Sequence, residues 1–281
     1  MSEYESFDPL EEERNMERKE MKLLAQRLLR TAFEGVLEGE NLERRLSMIE
    51  ETRFFSPEEF ASRVEEHPEE ADADGIMHME VVGREVRRFA IVKEGTRAET
   101  LHTLLHEGTH LMAPESHVVT DYMREADDQV HSVYLGALRY DRVIKTGEVD
   151  PLSVRFDRVQ ARHLFWESIT DWHADELLRD ELSETERDEI ATGGYIERHY
   201  IEHLINTVLE RGAFIEAIRK AYATGSEDPF YWEMQRISGR KDDAFYEELL
   251  NVLSMPLNDD TWEQRLDAWM ATVKKYLSTK L

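Results

Sequence analysis

The chain has 281 residues, enough for one large domain or two modest ones, and it carries 61 acidic against 35 basic side chains. The net charge of −26 argues against binding to nucleic acid or to anionic membranes. There is no apolar run long enough to span a membrane, and the lack of cysteine excludes disulfides and thiolate ligands. Because the acidic first residues contain no apolar core of a secretion signal, the sequence predicts a cytoplasmic protein.

The first part of the chain predicts helices followed by a β-hairpin. Apolar residues recur at helical spacing through residues 1–66, and Ser56 followed by Pro57 is typical of a helix start. A polar linker then precedes two β-prone runs, 76–82 and 85–93, which predict the two strands of a hairpin.

The next helix is predicted to begin at a capping box formed by Thr96 and Glu99 and to end before Pro114. One face of it is apolar, and we expect the histidines of this helix to lie away from that buried face. Beyond residue 116 the helical patterns are separated by short polar breaks. The predicted helices there are 117–145, 153–181, 184–191, 195–222, 229–237, 242–254 and 261–278.

These patterns together predict an α+β fold that is predominantly α-helical, with a small β-sheet beside one helix. We expect an N-terminal helical region over residues 1–70 and a second domain over residues 71–281. Within the second domain, residues 71–116 would form the hairpin and its helix, and residues 117–281 a helical subdomain.

The helix that follows the hairpin carries the pattern H-E-x-x-H at His106, Glu107 and His110. Residues four apart share one face of a helix, so both histidines can direct a ring nitrogen at one zinc ion. Glu107 is rotated about a quarter turn from His106 around the helix axis. It is therefore not expected to bind the ion, but it would lie beside a water on the ion, where a general base is needed. A catalytic zinc takes three protein ligands, so one ligand lies elsewhere in the chain.

Three residues are candidates for the third ligand. His117 is one residue later than the third histidine of the extended three-histidine motif, with Pro114 between. Asp121 is the second candidate, although an aspartate on a helix surface explains it better. Glu167 is the third: it stands four residues before Asp171 on an amphipathic helix, so the two carboxylates share a face among apolar residues, where carboxylates need partners.

A β-strand leading into a helix with H-E-x-x-H resembles the zincin metallopeptidases, and the similarity covers about residues 76–113. The E-x-x-x-D pattern of Glu167 and Asp171 resembles the gluzincins, which include the thermolysin-like peptidases. The 56 residues between His110 and Glu167 (positions 111 to 166) are more than the thermolysin spacing.

The resemblance implies that His106, His110 and Glu167 hold Zn²⁺, with Glu107 as the general base for a zinc-activated water. It also implies that Asp171 orients a ligand histidine.

The resemblance predicts a cytoplasmic zinc metalloendopeptidase that acts on a protein or peptide and binds neither nucleic acid nor membranes. An extended substrate would pair along the second strand of the hairpin, residues 85–93. Two alternatives stay open: a catalytically silent zinc-binding scaffold or regulatory protein of zincin fold, and a zinc hydrolase that is not a peptidase. The intact Glu107 favours an enzyme, because a structural zinc site needs no base beside its histidines.

The segment 193–204 holds further histidines and tyrosines that could reach the site. One of them could stabilise the oxyanion of a tetrahedral intermediate, although helix packing is the ordinary role of such tyrosines. His199 and His203, four residues apart, could also hold a second metal. His102 and His163 each stand four residues before a predicted ligand, and half-exposed histidines are the simpler explanation of both. The oxyanion candidates are Tyr195, His199, Tyr200 and His203.

Overall fold

The computed structural model describes residues 9–66, 73–82, 85–114, 128–135, 138–145, 153–191, 197–255 and 261–277. The strands in these ranges are β1 (Arg53–Phe55), β2 (Gly75–Val82), β3 (Glu85–Lys93), β4 (Asp128–Leu135) and β5 (Leu138–Lys145). The helices are α1 (Pro9–Phe33), α2 (Gly39–Glu50), α3 (Pro57–Glu66), α4 (Arg97–Leu111), α5 (Ser153–Leu178), α6 (Glu184–Ala191), α7 (Arg198–Thr207), α8 (Arg211–Thr224), α9 (Asp228–Ser238), α10 (Ala244–Leu253) and α11 (Trp262–Leu277).

The predicted α+β fold, mainly helical with a small sheet, is confirmed by these elements. The chain forms two compact units, Met1–Leu111 with Leu177–Ile190, and Met112–Glu176 with Ala191–Leu281. The predicted division of the sequence near residue 70 stays a prediction. No helix in the described ranges is both long enough and apolar enough to cross a membrane.

The first unit contains a three-stranded sheet with strand order β1-β3-β2. The predicted hairpin is confirmed: β2 and β3 are antiparallel, with Val82 opposite Glu85. The short strand β1 pairs with β3 in parallel, with Arg53 opposite Ile91, and it lies in a region predicted to be wholly helical. Strand β1 pairs only with residues 91–93 of β3, so those three residues already have a strand on each side, and substrate pairing along residues 85–93 otherwise stays a prediction.

Helix α4 packs against β2 and β3 and also against α1 and α2, all within the first unit. Gly108, inside the H-E-x-x-H pattern, permits the close approach of α1, because a methyl group there would lie 2.7 Å from the Leu29 Cδ1 atom. The helix is consequently buried nearly all round: residues 104–111 are all buried. The expectation that the histidines lie away from the buried face is therefore wrong.

The second unit begins with a β-hairpin where the sequence predicts the helix 117–145. Strands β4 and β5 pair antiparallel over the described part of that range, and Leu135 lies opposite Leu138. The helix prediction is wrong there because β-branched and aromatic residues are frequent, and only Gly136 and Ala137 separate the two runs. A two-residue connection that begins with glycine favours a tight hairpin over a continuous helix.

The remaining helices of the second unit follow the predicted ones closely, with one exception. The predicted helix 195–222 is divided into α7 and α8, because the backbone of Val208 is extended, with ψ of 125°. The core of this unit is aromatic: Trp166 and Phe165 of α5 both pack edge-on against Phe230 of α9. Trp232 of α9 lies outside this core and is 67% exposed.

Candidate metal centre

The start of α4 is set by the predicted capping box. The Glu99 N–H donates to Thr96 Oγ1 at 3.3 Å, and the Thr96 N–H donates to Glu99 Oε2 at 2.7 Å. These two bonds satisfy amides that the helix itself leaves without acceptors, so the helix begins at a defined residue. A defined start and the tight packing of Gly108 hold the register of His106 and His110.

His106 and His110 direct their rings at one point. Their Nε2 atoms are 3.2 Å apart, and the ring planes are inclined at 66°. Two nitrogen ligands of a tetrahedral zinc ion, each about 2.0–2.1 Å from it, lie roughly 3.3 Å from each other. The observed separation therefore fits two ligands of one ion, and it also fits an N–H···N hydrogen bond when one Nε2 is protonated.

Glu167 of α5 joins the two histidines. One ligand atom each from His106, His110 and Glu167 lies within 4.8 Å of the others, and all three side chains are buried. The structure thus groups the three residues that the sequence predicts as ligands, although their role as zinc ligands stays a prediction. Imidazole nitrogens with a carboxylate are a donor set that zinc accepts, so these residues fit a divalent metal ion.

Glu107 is 5% exposed and lies against the first residue of β2. A methyl group built on Gly75 would meet the Glu107 Cγ atom at 2.9 Å and the Thr103 Cγ2 atom at 2.5 Å. Only a glycine lets the strand approach this closely, and the contact restricts where the Glu107 carboxylate can point. The role of Gly75 has no signal in the sequence, because a glycine at the end of a polar linker indicates nothing more than a strand boundary.

Asp171, the predicted partner of a ligand histidine, is buried at 3% exposure. Arg198 of α7 lies close by, with its Nη1 atom 3.8 Å from Asp171 Oδ2 and 3.5 Å from Asp175 Oδ2. The arginine thus links two carboxylates that are one helical turn apart on α5. Arg198 is not among the predicted site residues. It lies in the segment 193–204, where only the histidines and tyrosines were considered as functional groups.

Tyr222 of α8 lies near Glu167, but its hydroxyl is hydrogen-bonded to other residues. Its hydroxyl forms a short hydrogen bond with Thr170 Oγ1 and donates to the Trp166 carbonyl oxygen at 3.1 Å. Burial raises the pKa of Tyr222, and the charge of Glu167 raises it further. The phenol is therefore neutral at physiological pH.

His173 of α5 is a second buried polar group, and no pattern in the sequence indicates it. Its Nε2 atom accepts a hydrogen bond from the Nε–H of Arg219 at 3.2 Å, and the ring is 1% exposed. Burial, and next the charge of Arg219, lower the pKa of His173 to about 3. The imidazole is consequently neutral and serves as an acceptor in the core.

The other predicted site residues lie in several parts of the chain. His117, Asp121 and Tyr195 lie outside the described residues, and His163 lies in α5. His102 is buried, although the sequence had suggested a half-exposed side chain.

Within the ranges that the structure describes, the α7 histidines belong to no group of three residues with metal-binding spacing. His199 is exposed, and burial lowers the pKa of the half-buried His203. Among the described residues, the group of His106, His110 and Glu167 is the only set of three with metal-binding spacing. Tyr200 stacks on Trp269 at 5.5 Å, which is the packing role expected for such tyrosines.

Comparison with known proteins finds no family model, no curated protein and no solved structure that matches this chain.

Proposed function

We propose that this protein is a zinc-dependent metallopeptidase of the cytoplasm, related in its site to the gluzincins. The observation that carries the proposal is the buried group of His106, His110 and Glu167, with Glu107 adjacent to it in the same helix. Its substrate is a protein or peptide. The proposal rests on the side chains of the site alone, since fold and function are separate inferences.

The two histidines and Glu167 would hold the metal. Three protein ligands of this kind are typical of catalytic zinc sites, which keep a further position for the reacting molecules. When bound, zinc supplies Lewis acidity, which polarises the scissile carbonyl group and lowers the pKa of water. The burial of all three side chains supports this use, because buried carboxylates and imidazoles bind a cation in competition with little water.

Glu107 would be the general base. Its carboxylate would take a proton from the attacking water and deliver it to the nitrogen of the leaving amine. The close contact with Gly75 holds this side chain in place, which matters because a base must lie within hydrogen-bond distance of the proton it removes.

Asp171 and Arg198 would act as positioning residues. A carboxylate that accepts the outer N–H of a ligand histidine sets its tautomer, and we assign this role to Asp171. Arg198, within ion-pair distance of that carboxylate, would orient it.

The first test is metal analysis of purified protein. We expect one zinc ion per chain in the wild type and in His117→Ala, and loss of zinc in His106→Ala and Glu167→Ala. The matched control is His199→Ala, which removes an exposed histidine of α7 and should leave the metal content unchanged. Zinc that survives Glu167→Ala and disappears with His117→Ala would contradict the assigned ligand set.

The second test is cleavage of a broad peptide library. Glu107→Gln should retain zinc and lose cleavage by a factor of about 10²–10⁴, the usual contribution of a general base. Undiminished cleavage by this variant would contradict the assigned base. Zinc binding with no cleavage by the wild type would instead favour a binding or scaffold role.

A further inference from the structure

A groove of about 520 Å³ lies in the first unit, between the middle of α1 and the strand β1. From Arg18 to Arg30, helix α1 carries five basic residues and one acidic residue, in a chain whose acidic residues outnumber its basic ones by 61 to 35. The polar and aromatic side chains that line the groove include Arg18, Lys19, Lys22, Glu50, Thr52 and Phe54.

The cations of the groove keep unused hydrogen-bond donors. Arg18 donates from Nε and Nη2 to the carboxylate of Glu94, at 2.6 and 2.8 Å, which leaves its Nη1 group. The Nζ atom of Lys22 donates to the Glu50 and Thr52 carbonyl oxygens, both at 2.8 Å, which leaves one N–H. Lys19 is exposed and makes no ion pair with any residue in the described ranges.

The negative charges near the groove do not use up these donors. Glu94 is engaged by Arg18, and the Glu50 carboxylate accepts from the Gln26 amide at 3.3 Å. Burial, and next the positive charge of Arg18, lower the pKa of Lys22, so an added anion would stabilise its charged form.

Thr52 and Phe54 also line the groove. The Thr52 Oγ1 atom is buried beyond contact with a ligand, so Thr52 contributes only the carbonyl oxygen that accepts from Lys22. Phe54 is partly exposed and presents an aromatic ring, with Lys22 Nζ at 5.4 Å from its centroid.

We propose that this groove binds an acidic peptide segment that also carries an apolar side chain. Carboxylates of the segment would pair with Lys19 and the remaining donors of Arg18 and Lys22, and its apolar side chain would pack on Phe54 beside Leu23. A volume of about 520 Å³ lies within the usual range of ligand sites and holds a short peptide segment. Binding here is independent of the proposed peptidase activity.

The test is fluorescence anisotropy with a short labelled peptide of glutamates around one phenylalanine, and with its glutamine counterpart. We expect the glutamate peptide to bind at low ionic strength at least tenfold more tightly than the glutamine peptide, and less tightly as salt is added. Equal binding of the two peptides would overturn the proposal. Displacement by free glutarate or inorganic phosphate as effective as by the unlabelled peptide would overturn the assignment to a peptide.

Variants locate the binding in the groove. Lys19→Glu reverses an exposed charge without breaking an ion pair, and it should lower the affinity for the glutamate peptide at least tenfold. The matched control Lys241→Glu should change that affinity less than twofold. Unchanged binding in Lys19→Glu would overturn the proposal, because that variant leaves the folded core intact.

Discussion

Two buried polar clusters of this chain differ in whether they contain an arginine that pairs with their carboxylate. In the second unit, Arg265 is 1% exposed and donates to Glu197 Oε1 at 2.8 Å and to the Leu253 carbonyl oxygen at 2.7 Å. That cluster contains its own cation. The cluster of His106, His110 and Glu167 is instead made of groups that bind cations. The charges of the first cluster are paired within the chain, whereas the second cluster would gain stability from an ion supplied from outside.

The largest effect is expected from a substitution that breaks the cluster containing its own cation. Arg265→Met should lower the free energy of unfolding by about 3–5 kcal/mol, because it leaves the Glu197 carboxylate buried without its partner. The measurement is urea unfolding. The double variant Arg265→Met with Glu197→Leu is the control and should recover much of the loss; a double variant as unstable as the single one would show that packing, not charge, is responsible.

Zinc should stabilise the other cluster by a smaller amount. At a free zinc concentration 100 times the Kd, the free energy of unfolding should rise by about 2.7 kcal/mol over the chelated protein, since the ion binds the folded state. Glu167→Ala should remove this increase, and Arg265→Met should keep it. An unfolding midpoint of the wild-type protein that is the same with zinc and with chelator would contradict a metal role for the cluster.

A methyl group at Gly75 tests how tightly the base is held. Gly75→Ala should destabilise the protein by about 1–3 kcal/mol, because the new Cβ atom meets Thr103 and Glu107 at 2.5–3.0 Å. The matched control is Gly212→Ala in α8, where no atom lies within 4 Å and alanine favours the helix. Urea unfolding of both variants gives the comparison, and equal stability would show that β2 adjusts freely.

Per pH unit, the smallest effect is a pH dependence from His173. Its pKa is lowered on folding to about 3, so the unfolded state binds more protons between that pH and about 6.5. Stability should therefore fall with decreasing pH through this range, by at most about 1.4 kcal/mol per pH unit from this group. His173→Gln should make the unfolding free energy flatter between pH 6.5 and pH 5; an unchanged slope would show that other groups dominate.

Local patterns account for the features that the sequence predicts correctly. The capping residues of α3 and α4, Ser56 with Glu59 and Thr96 with Glu99, are three positions apart and act within one turn. The β2–β3 hairpin likewise joins neighbours in the chain. The wrong prediction of a helix over 117–145 also has a local origin. It gave too little weight to the β-branched residues and to the two residues that connect β4 and β5.

The sequence by itself determined the histidine half of the candidate site. His106 and His110 are one helical turn apart, and helix geometry alone places them on one face. Tertiary structure decided what surrounds them: the grouping with Glu167, the contact of Gly75 with Glu107, and the burial of α4 on all sides. The reason is physical, because helix periodicity acts over a few residues, whereas contacts between distant segments depend on how whole elements pack.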